Sequence, residues 1–147
     1  MAWSQAGGAF RSGNQTVGGG GILQFTLNAV HTGFAYTQIV SGAIVVKGSG
    51  SILVNARVTI PTFGGTARVR INGSSTDLAV GNSGTTSNIV NAIIPNLHDG
   101  DLLQLWVTGS TNGANATGNQ ASTFLTYVPL SSAQQGNGVS LGRAALF

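Results

Sequence analysis

A chain with no glutamate and only one lysine, Lys47, cannot furnish the charged solvent faces that surface helices need. Charged residues are 6% of this sequence, against about 25% in average soluble domains. A mostly helical fold is excluded. Solvation falls to Ser, Thr, Asn, Gln and Gly, which suit turns and the outer faces of strands. The 23 glycines follow no G-X-Y period. At 41% hydrophobic the chain is too apolar for disorder. Its 147 residues suit one domain, which at that size buries roughly 68–70% of its unfolded surface.

The hydrophobic pattern has period two. Leu23, Phe25, Leu27 and Ala29 share one strand face, and Ile39–Lys47 is an apolar segment broken by Ser41-Gly42. Ile52, Val54, Ala56, Val58 and Ile60 alternate with Leu53, Asn55, Arg57 and Thr59 up to Pro61. Ala67, Val69 and Ile71 alternate with Arg68 and Arg70 before an Asn72-Gly73 turn. Leu78–Val80 precedes a glycine-containing loop, Val80–Asn88, and Ile89–Ile94 runs to Pro95. Leu103, Leu105 and Val107 alternate with Leu102, Gln104 and Trp106. Phe124, Thr126, Val128 and Leu130 are expected on the core face of the last strand, with Leu125 and Tyr127 on the other. Short strands separated by turns predict an all-β sandwich or barrel. Three regions are expected: a flexible N-terminal arm (1–21) hinged at Gly18–Gly21, a β domain (22–130) and a C-terminal tail (131–147).

The net charge of +3 comes from scarcity of acids, with six Lys+Arg against Asp77, Asp99 and Asp101, so no basic cluster implies nucleic acid. With no cysteine there is neither a disulfide scaffold nor a thiolate metal site. No apolar run reaches the ~18 residues of a membrane span. Met1–Gly21 lacks the pattern of a secretory signal, so export is not expected, and the N-x-S/T triplets at Asn14, Asn72 and Asn115 are not read as glycosylated. Acid–base catalysis is poorly supplied, and neither a G-x-S-x-G elbow nor a phosphate loop occurs; no enzyme, catalytic residue, cofactor or metal is expected. His98-Asp99-Gly100-Asp101 reads as a turn whose Asp101 satisfies turn amides.

Several pieces together resemble a known fold. They are the Ile52–Ile60 strand, Ala67-Arg-Val-Arg-Ile-Asn-Gly73, the Leu97-His-Asp-Gly100-Asp101 turn feeding Leu102–Val107, and Ser122-Thr-Phe opening the last strand. Their order resembles the jelly roll of tumour-necrosis-factor-like and complement-globular-head domains, variants of which occur in phage virion proteins. The resemblance implies a compact homotrimeric jelly-roll β-sandwich. It implies that Leu23–Val30, Ile52–Ile60, Leu102–Val107 and Thr123–Leu130 lie in the sheet facing neighbouring subunits. It also places Ile52–Ile60 and Ala67–Ile71 in opposite sheets, which separates Arg57 from Arg68 and Arg70 and removes a like-charge contact. On the expected outer faces stand Leu53, Leu102, Trp106, Leu125 and Tyr127, an apolar patch expected to form the trimer interface.

The function expected from this resemblance is that of a virion structural protein, a phage capsid decoration protein assembled in the host cytoplasm. Its partners are further copies of itself and the major capsid protein or another virion protein. Trp3, Phe10 and Arg11 on the arm are expected to anchor it to the shell. The alternative is a tail-associated module binding host surface glycans through the Asn/Gly/Ser/Thr-rich loops Val80–Asn88 and Thr108–Ala121.

Overall fold

The computed structural model describes residues 6–28, 37–60, 65–85, 87–108, 115–118 and 122–130. In chain order the strands are β1 (Gly7–Phe10), β2 (Gln15–Thr16), β3 (Gly21–Ile22), β4 (Leu27–Asn28), β5 (Ile39–Val40), β6 (Ala43–Val45) and β7 (Gly50–Thr59). They continue with β8 (Gly65–Ile71), β9 (Ala79–Thr85), β10 (Ser87–Leu97), β11 (Leu102–Thr108), β12 (Asn115–Ala116) and β13 (Thr123–Leu130). One sheet has the order β10-β7-β13-β1-β4 and the other β5-β6-β11-β8-β9, with β3 also pairing β11. Every pairing is antiparallel. β2 and β12 form a separate two-stranded ribbon.

The two sheets enclose one core. β7 shows how sequence dictates it: Ile52, Val54, Ala56 and Val58 are wholly buried, while Leu53, Asn55 and Arg57 between them are exposed. Across the core lie Leu103, Leu105 and Val107 of β11 with Ala67 and Val69 of β8. Each such aliphatic side chain contributes about 1.5–3 kcal/mol when fully buried. β7 and β8 sit in opposite sheets, so Arg57 is separated from Arg68 and Arg70 as expected.

Local chemistry ends the strands. Asn72 (φ 53) and Gly73 (φ 73) both adopt positive φ after β8, and Ser74 N–H closes the turn on Ile71 O at 2.9 Å. At the junction of β9 and β10 the sheets are stitched by side-chain amides. Asn82 Oδ1 accepts from Ile89 N–H at 2.7 Å. With its nitrogen turned toward two carbonyls, the buried Asn88 amide donates to Asn82 O (2.9 Å) and Gly65 O (2.6 Å). Thus Val80–Asn88, expected as an apical loop, is largely strand and closes the sandwich.

The N-terminal segment departs from expectation. Residues 6–21 are not an arm: β1 lies between β13 and β4 inside a sheet, with Ala9 wholly buried. The sequence masks this strand because Gly7 and Gly8 carry no side chain to reveal a period. Nor is Gly18–Gly21 a hinge. Gly20 N–H bonds Val17 O at 2.9 Å, and β3 begins at Gly21. A Cβ built on Gly20 would fall 2.5 Å from Cη2 of Trp106, so a glycine here lets the backbone close over the indole. Trp3 and the tail 131–147 lie outside the described residues.

Candidate self-association face

The outer face of the β10-β7-β13-β1 sheet gathers apolar side chains in rows, because register places outward residues of adjacent strands abreast. In one row Ile93 pairs Leu53, which pairs Val128. Their exposures are 61%, 45% and 48%. A polar row follows, with Asn91 opposite Asn55 and Asn55 opposite Thr126. The next row runs Ile89, Arg57, Phe124, Phe10. Ile89 is 44% exposed, and Phe124 and Phe10 are half-buried. A sheet face open to water normally carries polar groups. Contiguous aliphatic exposure of this kind marks an interaction surface.

Of the expected interface residues, Leu53 alone belongs to this face. Leu125 (0% exposed) and Tyr127 (2%) point into the core, so the expected parity of β13 is inverted. Both parities of β13 are apolar, and periodicity alone could not choose between them. The choice is made by Tyr127, whose Oη accepts from Lys47 N–H at 3.3 Å across the sandwich. Burial pushes the Tyr127 pKa up; the Lys47 hydrogen bond opposes this and the Asp99 charge adds to it.

Leu102 and Trp106 lie on β11, in the opposite sheet from Leu53. Of the expected strand Leu23–Val30, residues 23–28 are described, and they do not form one strand of the associating sheet: Leu23 N–H bonds Leu105 O at 2.8 Å, while β4 pairs β1. Ile93, Ile89 and Val128 complete the face instead. The signal for the first two was present in the Ile89–Ile94 strand, where Ile89 and Ile93 share a parity opposite to Val90 and Ile94.

On the opposite sheet Trp106 is covered rather than offered. The Arg70 guanidinium carbon lies 4.3 Å and that of Arg68 5.6 Å from the ring centroid. Asp77 binds both cations: Oδ1 accepts from Arg70 Nε at 2.6 Å, and Oδ2 lies 3.5 Å from Arg68 Nε. The expected shell anchors Phe10 and Arg11 are built into the body. Phe10 pairs Phe124 and Leu27. Arg11 donates to Gln24 O at 2.7 Å and Asn14 O at 3.4 Å. The His98–Asp101 segment is a turn: Asp101 Oδ2 accepts from His98 N–H (2.8 Å), Asp101 Oδ1 from the Asn72 amide (3.0 Å) and Asp99 Oδ1 from Gly48 N–H (2.7 Å).

No protein-family model and no curated protein matches the chain. Solved structures do. Murine APRIL superposes with a TM-score of 0.62 at 16% identity, over 86% of this chain and 98% of that one. Eiger TNF from S. frugiperda gives 0.60 at 14% identity, over 86% and 92%. The chain therefore has the tumour-necrosis-factor-like jelly-roll fold.

Proposed function

We propose that this chain is a virion structural protein, a phage capsid decoration protein that associates as a homotrimer through the outer face of the β10-β7-β13-β1-β4 sheet. The observation that carries this reading is the aliphatic row Ile93, Leu53 and Val128, standing abreast on three adjacent strands with Ile89 nearby. Left in water, such a face invites aggregation; covered by further copies, each side chain, already about half buried in the subunit, gains roughly half of the 1.5–3 kcal/mol that full burial gives. A chain with only 6% charged residues supports service in a particle exposed to changing pH and salt, since little of it titrates or is screened.

The role is non-enzymatic. It calls on further copies of the chain and on the major capsid protein or another virion protein, with neither nucleic acid nor membrane, and its location is the virion, assembled in the host cytoplasm. All three aspartates serve ion pairs or turn amides, which suits a structural part.

Two measurements test the proposal. Light scattering at micromolar concentration should give the mass of a trimer; a stable monomer would remove the assembly. Gold-labelled antibody on virions should decorate the head. Labelling confined to the tail would replace the decoration role by the glycan-binding one.

A further inference from the structure

We infer that Arg68 and Arg70, with Leu78 and Val80 beside them, form a docking site for an acidic polypeptide surface that presents carboxylates next to aliphatic side chains. The site lies on the sheet opposite the proposed self-association face, so assembly of the chain leaves it open.

Three observations build it. The two guanidiniums project from one face of β8, two residues apart, and β11 brings Trp106 opposite Arg68 and Gln104 opposite Arg70. The Arg70 guanidinium carbon sits over the indole at 4.3 Å from its centroid, and that of Arg68 lies farther off at 5.6 Å. A stacked guanidinium keeps its in-plane N–H groups free for an oxyanion. Second, one carboxylate serves two cations. Both oxygens of Asp77 face the Nε atoms, and among the described residues no hydrogen bond engages the Nη groups. The cluster is therefore pre-positioned and carries an uncompensated positive charge. Third, the neighbours are aliphatic: Val80 pairs Arg68 in register and is 55% exposed, and Leu78 is 39% exposed.

These neighbours favour a polypeptide over an acidic glycan. A sugar ring needs an open aromatic face. Trp106 has its face under the guanidiniums and its edge under Gly20. Aliphatic side chains flanking a cation pair match a partner whose Asp or Glu alternates with Leu, Ile or Val.

The test uses the full-length, 15N-labelled chain and three probes: a soluble peptide of alternating Glu and Leu, its Gln–Leu counterpart, and hyaluronate as a carboxylated glycan. The Glu–Leu peptide should shift the Trp106 indole N–H and the Arg68 and Arg70 Nε–H resonances saturably. Arg68→Gln should weaken binding about threefold, and Asp77→Asn, which releases both guanidiniums, should tighten it about threefold. Equal shifts with the Gln–Leu peptide would overturn the site. So would an Asp77→Asn chain that keeps its folded spectrum but binds no tighter. Hyaluronate binding as tight as the peptide would overturn the polypeptide assignment. Light scattering on the same samples reads assembly separately, so a failed trimer and a failed docking site are told apart.

Discussion

The Tyr127 ring occupies the space that a side chain on Gly7 would need. A Cβ built there would fall 2.6 Å from Cε2 of the ring. The two residues are direct partners across β1 and β13. The ring is held at its far end by the Lys47 N–H on its hydroxyl. It cannot swing outward without giving up that bond and its place in the core. Gly7→Ala should therefore destabilise the fold by about 1–3 kcal/mol, as overpacking does. Urea unfolding reads the loss directly, and an unchanged midpoint would show that the ring has room to yield.

The same tyrosine sets a limit at alkaline pH. Burial raises its pKa in the folded state, so the unfolded chain releases this proton first, at about pH 10. Above that pH the unfolded state holds fewer protons and stability falls as pH rises. The stabilising contribution is complete below the unfolded value and is lost as pH climbs through the folded one. Melting temperatures measured from pH 8 upward should decline near about pH 10, and Tyr127→Phe should flatten that decline. Parallel curves for the two proteins would assign the decline elsewhere.

The sequence carried the all-β class, the jelly-roll fold and the β7 face, because Ile52–Thr59 pairs one apolar parity with a mostly polar one, but it set Leu102–Val107 in the sheet of β7 when β11 lies in the other. It misled wherever both parities were apolar or neither had side chains. On β13, Phe124 and Val128 compete with Leu125 and Tyr127, and the deciding partner is remote in sequence: the Lys47 N–H in the connection between β6 and β7. On β1, Gly7 and Gly8 erase the period, so a central strand looks like an arm. Trp106 was read as an interface ring because nothing local shows that β8 supplies two guanidiniums to cover it.

Assembly should depend on Ile93 and Leu53. Both are exposed within the subunit, so charging them costs the isolated fold little, within about 0.5 kcal/mol for surface positions. Ile93→Asp should turn the assembly into monomers by light scattering while leaving the far-UV spectrum intact. Trp106→Ala, on the other sheet, should lower the melting temperature without changing the assembly's mass. Loss of mass in the second variant and not the first would move the interface to the wrong sheet.

The turn between β10 and β11 should hold without metal. Asp101 accepts from His98 N–H and from the Asn72 amide, and Asn72 Oδ1 accepts from Leu102 N–H at 2.8 Å. Asp101→Ala hands those exposed donors to water and should cost about 0.5–1.5 kcal/mol. Chelator should leave the wild-type melting temperature unchanged. A fall beyond error would give His98, Asp99 and Asp101 a metal to hold.

Deleting residues 2–10 gives the last outcome, and it separates a strand from an arm. The deletion removes β1 from between β13 and β4. Ala9 leaves the core, and the Gly8 N–H bond to the buried Thr37 hydroxyl, 2.9 Å long, is lost. Leu125 and Tyr127 lose their neighbours, and β13 becomes an open edge with unpaired backbone groups, which favours aggregation. An appendage could be cut away without such effects. The truncated chain should lose its cooperative thermal transition or aggregate on expression. If it melts cooperatively at the wild-type temperature, β1 contributes nothing to the folding unit, and the N-terminal segment regains its claim as an attachment arm.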